Sequence, residues 1–523
     1  MEKIPQWTLF KTELTSAVEY QNPIWDVTVW AELTAPSGRR FRIRAFWNGG
    51  REWGVRFCPE ERGVWRWRAQ CSDGRDHGCD GVGGTFECME YKGDNPLYIH
   101  GKVVRGGGGH YLTFADGTPF FWLGDTAWNG VMLAKKNDWK QYLQQRCLQR
   151  FSAIQFASLD GCLTSTNRSG EKAVFTTNPL RVNPKFFQDL DPNVEEINAY
   201  GMLAVPVMFW MYHENDAGRR LSEDDAICLG RYLLARWGAF HCVWCLAGDG
   251  IYDGEDGERL KRIGRGIFAE RHDQPVTVHP QSLRWVKPTF AGEEWYDIVG
   301  YQSGHGDSDE YLAWLIHGPP AREWASKPVL PIINLEANYE GHPAYHSGLP
   351  FGDYEVRLAA YRSLLVSPPA GVTYGHMAIW GWQETRTKAP CYDVGLVPPW
   401  QKGLNTPGLR SLSNLRNLLD AIPWWKLRPA PEIVAGSTQQ KDCRACLTAS
   451  MTEDRALAVV YLPKGGTIRA EVSHLKRPLR RRWFNPVSGE WSEDSTRGAE
   501  TIQEIVSPTD QQDWVLLLSS EAS

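Results

Sequence analysis

Between Asn95 and Pro423 one rhythm recurs eight times: a short apolar run, then a stretch whose apolar residues fall at helical spacing. "PFFWLGD" leads into a helix expected near Asn137–Arg150, and "SAIQFASLD" into one near Pro184–Tyr200. "MLAVPVMFW" leads into "SEDDAICLGRYLLARWGAF", which opens on Ser222 as an N-cap. "VWCLAGD" precedes "DGERLKRIGRGIFAE", and "PVTVH" is a fifth run with a less regular connection. "YDIVGYQ", "KPVLPIINLE" and "HMAIWGW" precede "DSDEYLAWLIHG", "DYEVRLAAYRSLL" and "GLRSLSNLRNLLD". Eight such units over about 330 residues predict an α/β fold, a (β/α)8 TIM barrel with enlarged loops. An open doubly wound sheet is the alternative, but it rarely needs eight units. No glycine-rich dinucleotide or P-loop fingerprint follows any run. "RGGGGH" (Arg105–His110) comes just before the first run and reads as a hairpin turn.

The ends of the chain follow another period. "DVTVWAEL", "EWGVRF" and "GVWRWRA" alternate apolar and polar residues between Gly-rich turns, as do "ALAVVYL", "TIRAEV", "RRRWFNPVSGEW" and "DWVLLL". Both patterns predict β-sandwiches. The Pro-rich join "AIPWWKLRPAPE" marks the second boundary. Three domains are expected: an N-terminal sandwich at 1–92, a barrel at 93–425 and a C-terminal sandwich at 426–523.

A net charge of −5 supplies no field for nucleic acid or an anionic membrane, and no apolar stretch has the length of a membrane span. "MEKIPQWTLFKTELT" shows no basic start followed by an apolar block, so the expectation is a cytoplasmic protein whose twelve cysteines are reduced. Of the two CxxC pairs, Cys242/Cys245 straddles an apolar strand, where that spacing points the thiols to opposite faces. Cys443/Cys446 and "CSDGRDHGC" are equally weak metal signatures. No metal and no cofactor are expected. The 25 tryptophans fit a protein that stacks flat apolar ligand faces.

In a (β/α)8 barrel the chemistry sits at the C-terminal strand ends. The residues that close each run are therefore the candidates: Asp125 and Trp128 after the first, and Gln155 and Asp160 at the second. Trp210 and His213 follow the third, Asp249 the fourth and His279 the fifth. Tyr301, Gln302 and His305 close the sixth, and Glu336, Tyr339 and Glu340 the seventh. The eighth carries His376, Trp380 and Trp382. Two acids among aromatic platforms is what glycoside hydrolysis requires. Each residue also has a plainer reading. Asp125 caps a segment, Gln155 bonds inside the barrel, Asp160 binds loop amides, and Asp249 between two glycines makes a turn. Glu336 is the acid that burial would penalise most unless it is paired or used.

"DGTPFFWLGDTAW", "YEGHP" within "INLEANYEGHP", and "GVTYGHMAIWGW" resemble the apiosidase-like glycoside hydrolase family, (β/α)8 enzymes of bacterial plant-polysaccharide metabolism. The first ~90 residues resemble the sandwich that often precedes that barrel. "WFNPVSGEW" resembles the small C-terminal sandwich provisionally named collagen-binding, although nothing in these residues specifies collagen. The resemblance implies that Asp249 is the acid/base and Glu336 the nucleophile of a retaining mechanism. Where the wider clan has Asn-Glu after strand four, this chain has Gly248-Asp249, a shorter acid. Further expectations are that His213, His279 and Tyr301 hold sugar hydroxyls or orient the acids, and that Trp128, Trp210 and Trp380 shape the pocket. The expected enzyme is an exo-acting glycosidase, apiosidase- or arabinofuranosidase-like. Its partner is a carbohydrate substrate, with neither nucleic acid nor membrane, and its oligomeric state is open. The competing readings are an inactive carbohydrate-binding scaffold and a metal-dependent barrel hydrolase.

Overall fold

The computed structural model describes residues 1–159, 166–269, 273–389, 394–434, 442–492, 495–496 and 501–520. Eight parallel strands form its centre: β1 (Trp122–Thr126), β2 (Ala153–Ala157), β3 (Leu203–Trp210), β4 (Trp244–Gly250), β5 (Val276–Pro280), β6 (Val299–Gln302), β7 (Ile332–Glu336) and β8 (Gly371–Tyr374). They lie in the order β5-β4-β3-β2-β1-β8-β7-β6. β5 and β6 close the ring through Asp297 N donating to Val276 O (2.9 Å) and Thr277 Oγ1 donating to Ile298 O (3.0 Å). The strands read as near-continuous apolar runs because side chains on both faces are buried, as parallel strands inside a shell of helices must be. Inward residues such as Ala153, Val205, Val207, Cys245 and Ile333 form one cluster, and outward residues such as Ile154, Ala204, Leu246 and Val278 form another with the helices. Cys242 joins the outer cluster and Cys245 the inner, so the CxxC spacing does split the two thiols between faces.

The helices start where the capping chemistry allows. Asn183, Ser222 and Thr406 each accept a backbone N–H with the side chain, at the heads of Pro184–Ala199, Glu223–Trp237 and Pro407–Asp420. Two of these helices place proline first, where no N–H is needed. The eighth strand departs from expectation. "HMAIWGW" is not a strand; β8 is the upstream "GVTY", paired with Trp122–Asp125 of β1. Gly375–Trp382 folds instead as buried turns, with Ile379 N donating to His376 O (2.9 Å) and Trp382 N to Ile379 O (3.1 Å). Its continuous burial gives it the look of a strand. "RGGGGH" is a hairpin connection, joining Val103–Arg105 to antiparallel Leu112–Phe114.

At the N-terminus a five-stranded and a three-stranded sheet face each other. Phe10 of one stacks on Phe86 of the other with ring centroids 4.1 Å apart, and the alternating Val29, Ala31 and Leu33 point into this core. At the C-terminus a six-stranded sheet lies beside a two-stranded ribbon. Its second face packs on the barrel helix Asp353–Leu365, where Tyr461 stacks on Tyr361 (4.7 Å) and Arg357 grips Asp513 with two hydrogen bonds of 2.9 and 3.0 Å. Among the described residues the cysteines are free thiols, and no helix is long and apolar enough to cross a membrane.

Candidate active site

The end of β4 is irregular, and the irregularity aims a carboxylate. The β4–β5 register shifts between Cys245 and Gly248 and again between Gly248 and Gly250, a bulged pattern that redirects a side chain. Asp249 itself has φ +53°, in the left-handed region that Asp tolerates better than most L-residues. Both flanking glycines are dictated by packing. A Cβ on Gly248 would lie 2.5 Å from the Trp210 ring, and one on Gly250 would lie 2.0 Å from the Tyr252 ring. They make room for aromatic walls rather than for a ligand.

Asp249 and Glu336 flank one imidazole. His279 Nδ1 is 3.5 Å from Asp249 Oδ1, and its Nε2 is 3.4 Å from Glu336 Oε2. These are charge contacts longer than good hydrogen bonds. His305 Nε2 lies 2.8 Å from the other oxygen, Oε1, of Glu336. Gln302 donates from Nε2 to Asp249 Oδ1 at 2.9 Å and is itself held by the Ser282 hydroxyl. The electrostatics separate the two acids. Burial raises the Asp249 pKa, and the neighbouring Glu336 charge adds to that against the lowering pull of His279. Burial would also raise Glu336, but His279 and His305 outweigh it and hold Glu336 well below the usual carboxylate range. Burial alone would lower His279, yet the two carboxylates raise it to about 9. The site therefore holds an ionised Glu336 beside a charged His279 and shifts Asp249 toward its protonated form.

These groups open onto a cavity of about 360 Å3. Of the residues expected from sequence, Asp249, Glu336, Trp128, Trp210, Gln302, His305, Tyr339 and Trp380 line it, with His279 between the acids. Tyr212, which follows Trp210 at the end of the third run, lines it too, as do Gln281, Ser282, Tyr311, His342 and Tyr345, which were not among the candidates. Only His342 carried a signal, as part of "YEGHP". Tyr212 and Tyr345 are the exposed aromatics of the rim, at 41% and 54%. His342, its ring tilted 31° to that of His305 with centroids 4.3 Å apart, is lowered to about 3, chiefly by burial, so it stays neutral.

The remaining expected contacts lie elsewhere. Asp125 is fully buried in the barrel wall, paired with Arg146 and accepting from Tyr142 Oη at 2.6 Å. Gln155 donates to Leu335 O (3.0 Å) inside the barrel. Glu340 accepts from Tyr374 Oη (2.7 Å), Thr406 Oγ1 (2.5 Å) and Gly408 N (3.1 Å), which fastens the head of helix Pro407–Asp420. Tyr301 is buried between Trp285 and Trp314. His376 accepts Ala378 N at 2.9 Å within its own turn, and Trp382 stacks on Trp400 at 5.0 Å. His213 is exposed beside Tyr212 (4.6 Å) and does not line the cavity. Asp160 lies outside the described residues. No cluster of three or more His, Cys, Asp or Glu with metal-binding geometry occurs among the described residues.

Residues 107–426 match a family model described as apiosidase-like, catalytic domain. Residues 3–72 match a domain of unknown function (DUF5060), and residues 429–519 a domain provisionally named for collagen binding in a collagenase. Among solved structures, a glycoside hydrolase family 5 protein of Bacteroides vulgatus aligns with TM-score 0.73 and 21% identity, over 83% of this chain and 96% of its own. A second glycoside hydrolase aligns with TM-score 0.72 and 22% identity, over 83% of this chain and 99% of its own. A third, again from Bacteroides vulgatus and provisionally named a glycoside hydrolase, aligns with TM-score 0.74 and 15% identity, over 99% of this chain and 100% of its own. At these identities the likeness is one of fold. No curated protein matches the chain.

Proposed function

The chain belongs to the apiosidase-like family of glycoside hydrolases, and from that premise we propose a retaining, exo-acting glycosidase of plant-type glycans in which Asp249 is the acid/base and Glu336 the nucleophile. The observation that carries this reading is the pair of acids flanking His279, one raised and one lowered in pKa. Acid and nucleophile of such an enzyme need those opposite states. Protonated Asp249 gives its proton to the glycosidic oxygen as that bond breaks, while a Glu336 oxygen bonds to the anomeric carbon. Asp249, now a carboxylate, takes a proton from water; the water oxygen bonds to the anomeric carbon and Glu336 leaves. His279 and His305 keep Glu336 ionised until it bonds to the anomeric carbon and receive it again as a carboxylate when it leaves. Gln302 fixes the Asp249 carboxyl against the strand end.

A cavity of about 360 Å3 walled by Trp128, Trp210, Tyr339 and Trp380 supports capture of a chain end. The test is a panel of nitrophenyl glycosides and plant oligosaccharides with three proteins: wild type, Asp249→Asn and Glu336→Gln. Glu336→Gln is expected to be inactive on every substrate. Asp249→Asn is expected to lose about 10²–10⁴-fold on oligosaccharides and far less in the first step on nitrophenyl glycosides, whose leaving group needs no proton. Equal losses on both substrate types would overturn the acid/base role of Asp249, and an active Glu336→Gln would overturn the nucleophile.

A further inference from the structure

One indole stands apart from the catalytic mouth. Trp25 is the most exposed of the described tryptophans, at 41%. Its Nε1 donates to Leu180 O at 3.1 Å, so the ring is held in one place although much of it meets water. Trp25 is at the edge of a second cavity, of about 250 Å3, between the N-terminal sheets and the barrel helix Glu223–Trp237. Trp25, Trp47 and Trp53 line it together with Arg44, Arg231 and Asp224. Its wall is fastened on both sides: Tyr232 Oη donates to Trp47 O (3.1 Å), and Arg231 Nε donates to Gly266 O (2.9 Å). The exposed indole adjoins the apolar lining of the cavity, Ile24, Val27 and Phe46, so that a flat apolar face continues from solvent into the cleft. Beside it stand groups of both signs, a carboxylate that accepts hydroxyl hydrogens and guanidinium groups that donate to ring or hydroxyl oxygens. A flat apolar face next to such donors and acceptors matches one sugar ring, which has an apolar face and a polar edge.

We propose that this cavity is a second carbohydrate site, in which Trp25 stacks on one sugar unit of the glycan and Asp224 and Arg231 bond its hydroxyls. The class of ligand rests on the glycosidase reading; the site itself rests on the geometry of the cavity. The site gives the N-terminal sheets a role in holding the polymer whose end the barrel cleaves.

The test is affinity electrophoresis of the full chain in gels cast with arabinoxylan or with polygalacturonate, a neutral and an acidic probe. Wild type, Trp25→Ala, Asp224→Asn and Glu336→Gln are compared, and turnover of an aryl monoglycoside is measured alongside. At least one polymer is expected to retard the wild type, and the polymer that does so gives the charge class of the sugar. Trp25→Ala and Asp224→Asn are expected to bind it about tenfold more weakly while cleaving the aryl glycoside at the wild-type rate. The near-isosteric Asp224→Asn guards against a folding defect in Trp25→Ala. The proposal is overturned if neither polymer retards the wild type, or if both variants migrate with it. Wild-type turnover in Glu336→Gln overturns the nucleophile assignment instead and leaves the Trp25 comparison to decide this site.

Discussion

In its proposed role as acid/base Asp249 is a short acid, and its backbone suits an Asp. At φ +53° an Asp is among the residues that the left-handed region admits, and the β4–β5 register shifts on both sides of Gly248. Asp249→Glu is therefore expected to lower kcat by at least tenfold despite keeping a carboxyl, because a longer chain at a strained position misplaces the proton. The pH profile should be bell-shaped. Activity falls on the acid side as Glu336 gains a proton and on the alkaline side as Asp249 loses one. His279 lowers the pKa of Glu336, so His279→Asn should move the acid limb up by ~1–3 pH units; an unmoved limb would show that the imidazole does not set the nucleophile's charge. His279 is raised to about 9, so its stabilisation is complete below its unfolded value of ~6.5 and is lost as pH rises through about 9. Asp125 shows the opposite case, a strand-end acid with no place in the cavity. Asp125→Asn leaves the buried Arg146 uncompensated and should cost about 3–5 kcal/mol of stability in urea titrations, with sugar affinity unchanged in the protein that remains folded.

At the scale of elements, most of the barrel was legible because a parallel strand buried on both faces leaves an unbroken apolar run, and a helix behind it leaves a 3.6-residue period. The same signal misled at β8. "HMAIWGW" is as apolar and as buried as a strand, but its hydrogen bonds are turns, and burial alone does not reveal which backbone group pairs with which. Asp249 and Glu336 were readable as acids ending apolar runs. Asp125 ends its run in the same way, and only the fold reveals that Arg146 from the next helix meets it. Tyr345 and Gln281 come from connections without periodicity, and Tyr311 from the first turn of helix Asp309–His317, where the helical period does not reveal which residue turns to the barrel mouth. These connections are braced from outside the barrel. Arg444 of the C-terminal domain donates to Asp307 O (2.7 Å) and pairs with Asp309 (3.1 Å). Asp307 in turn accepts His346 N (3.3 Å), while Tyr345 N donates to His305 O (2.9 Å). Arg444→Ala should raise KM for oligosaccharides with kcat little changed, since the contact is remote from the acids. A changed kcat with KM intact would contradict that account.

At the scale of the molecule, the flanking domains are fastened to the barrel by buried charge as well as by apolar packing. Asp191 of helix Pro184–Ala199 receives Arg236 through two hydrogen bonds of 2.9 and 2.8 Å, the indole of Trp237 at 2.8 Å, and Arg56 from the N-terminal sheets. Asp191→Ala would strand Arg236 in the interior and should cost about 3–5 kcal/mol, seen as an earlier urea midpoint in which sheets and barrel loosen together. The proposed mechanism makes one central claim, that Glu336 becomes covalently glycosylated. Mass spectrometry after incubation with a 2-deoxy-2-fluoro glycoside of the sugar found active in the aryl-glycoside panel reads it directly. The prediction is a single sugar adduct mapped to the peptide containing Glu336, absent in Glu336→Gln. No adduct together with a product of inverted anomeric configuration, or an adduct on another residue, would contradict it.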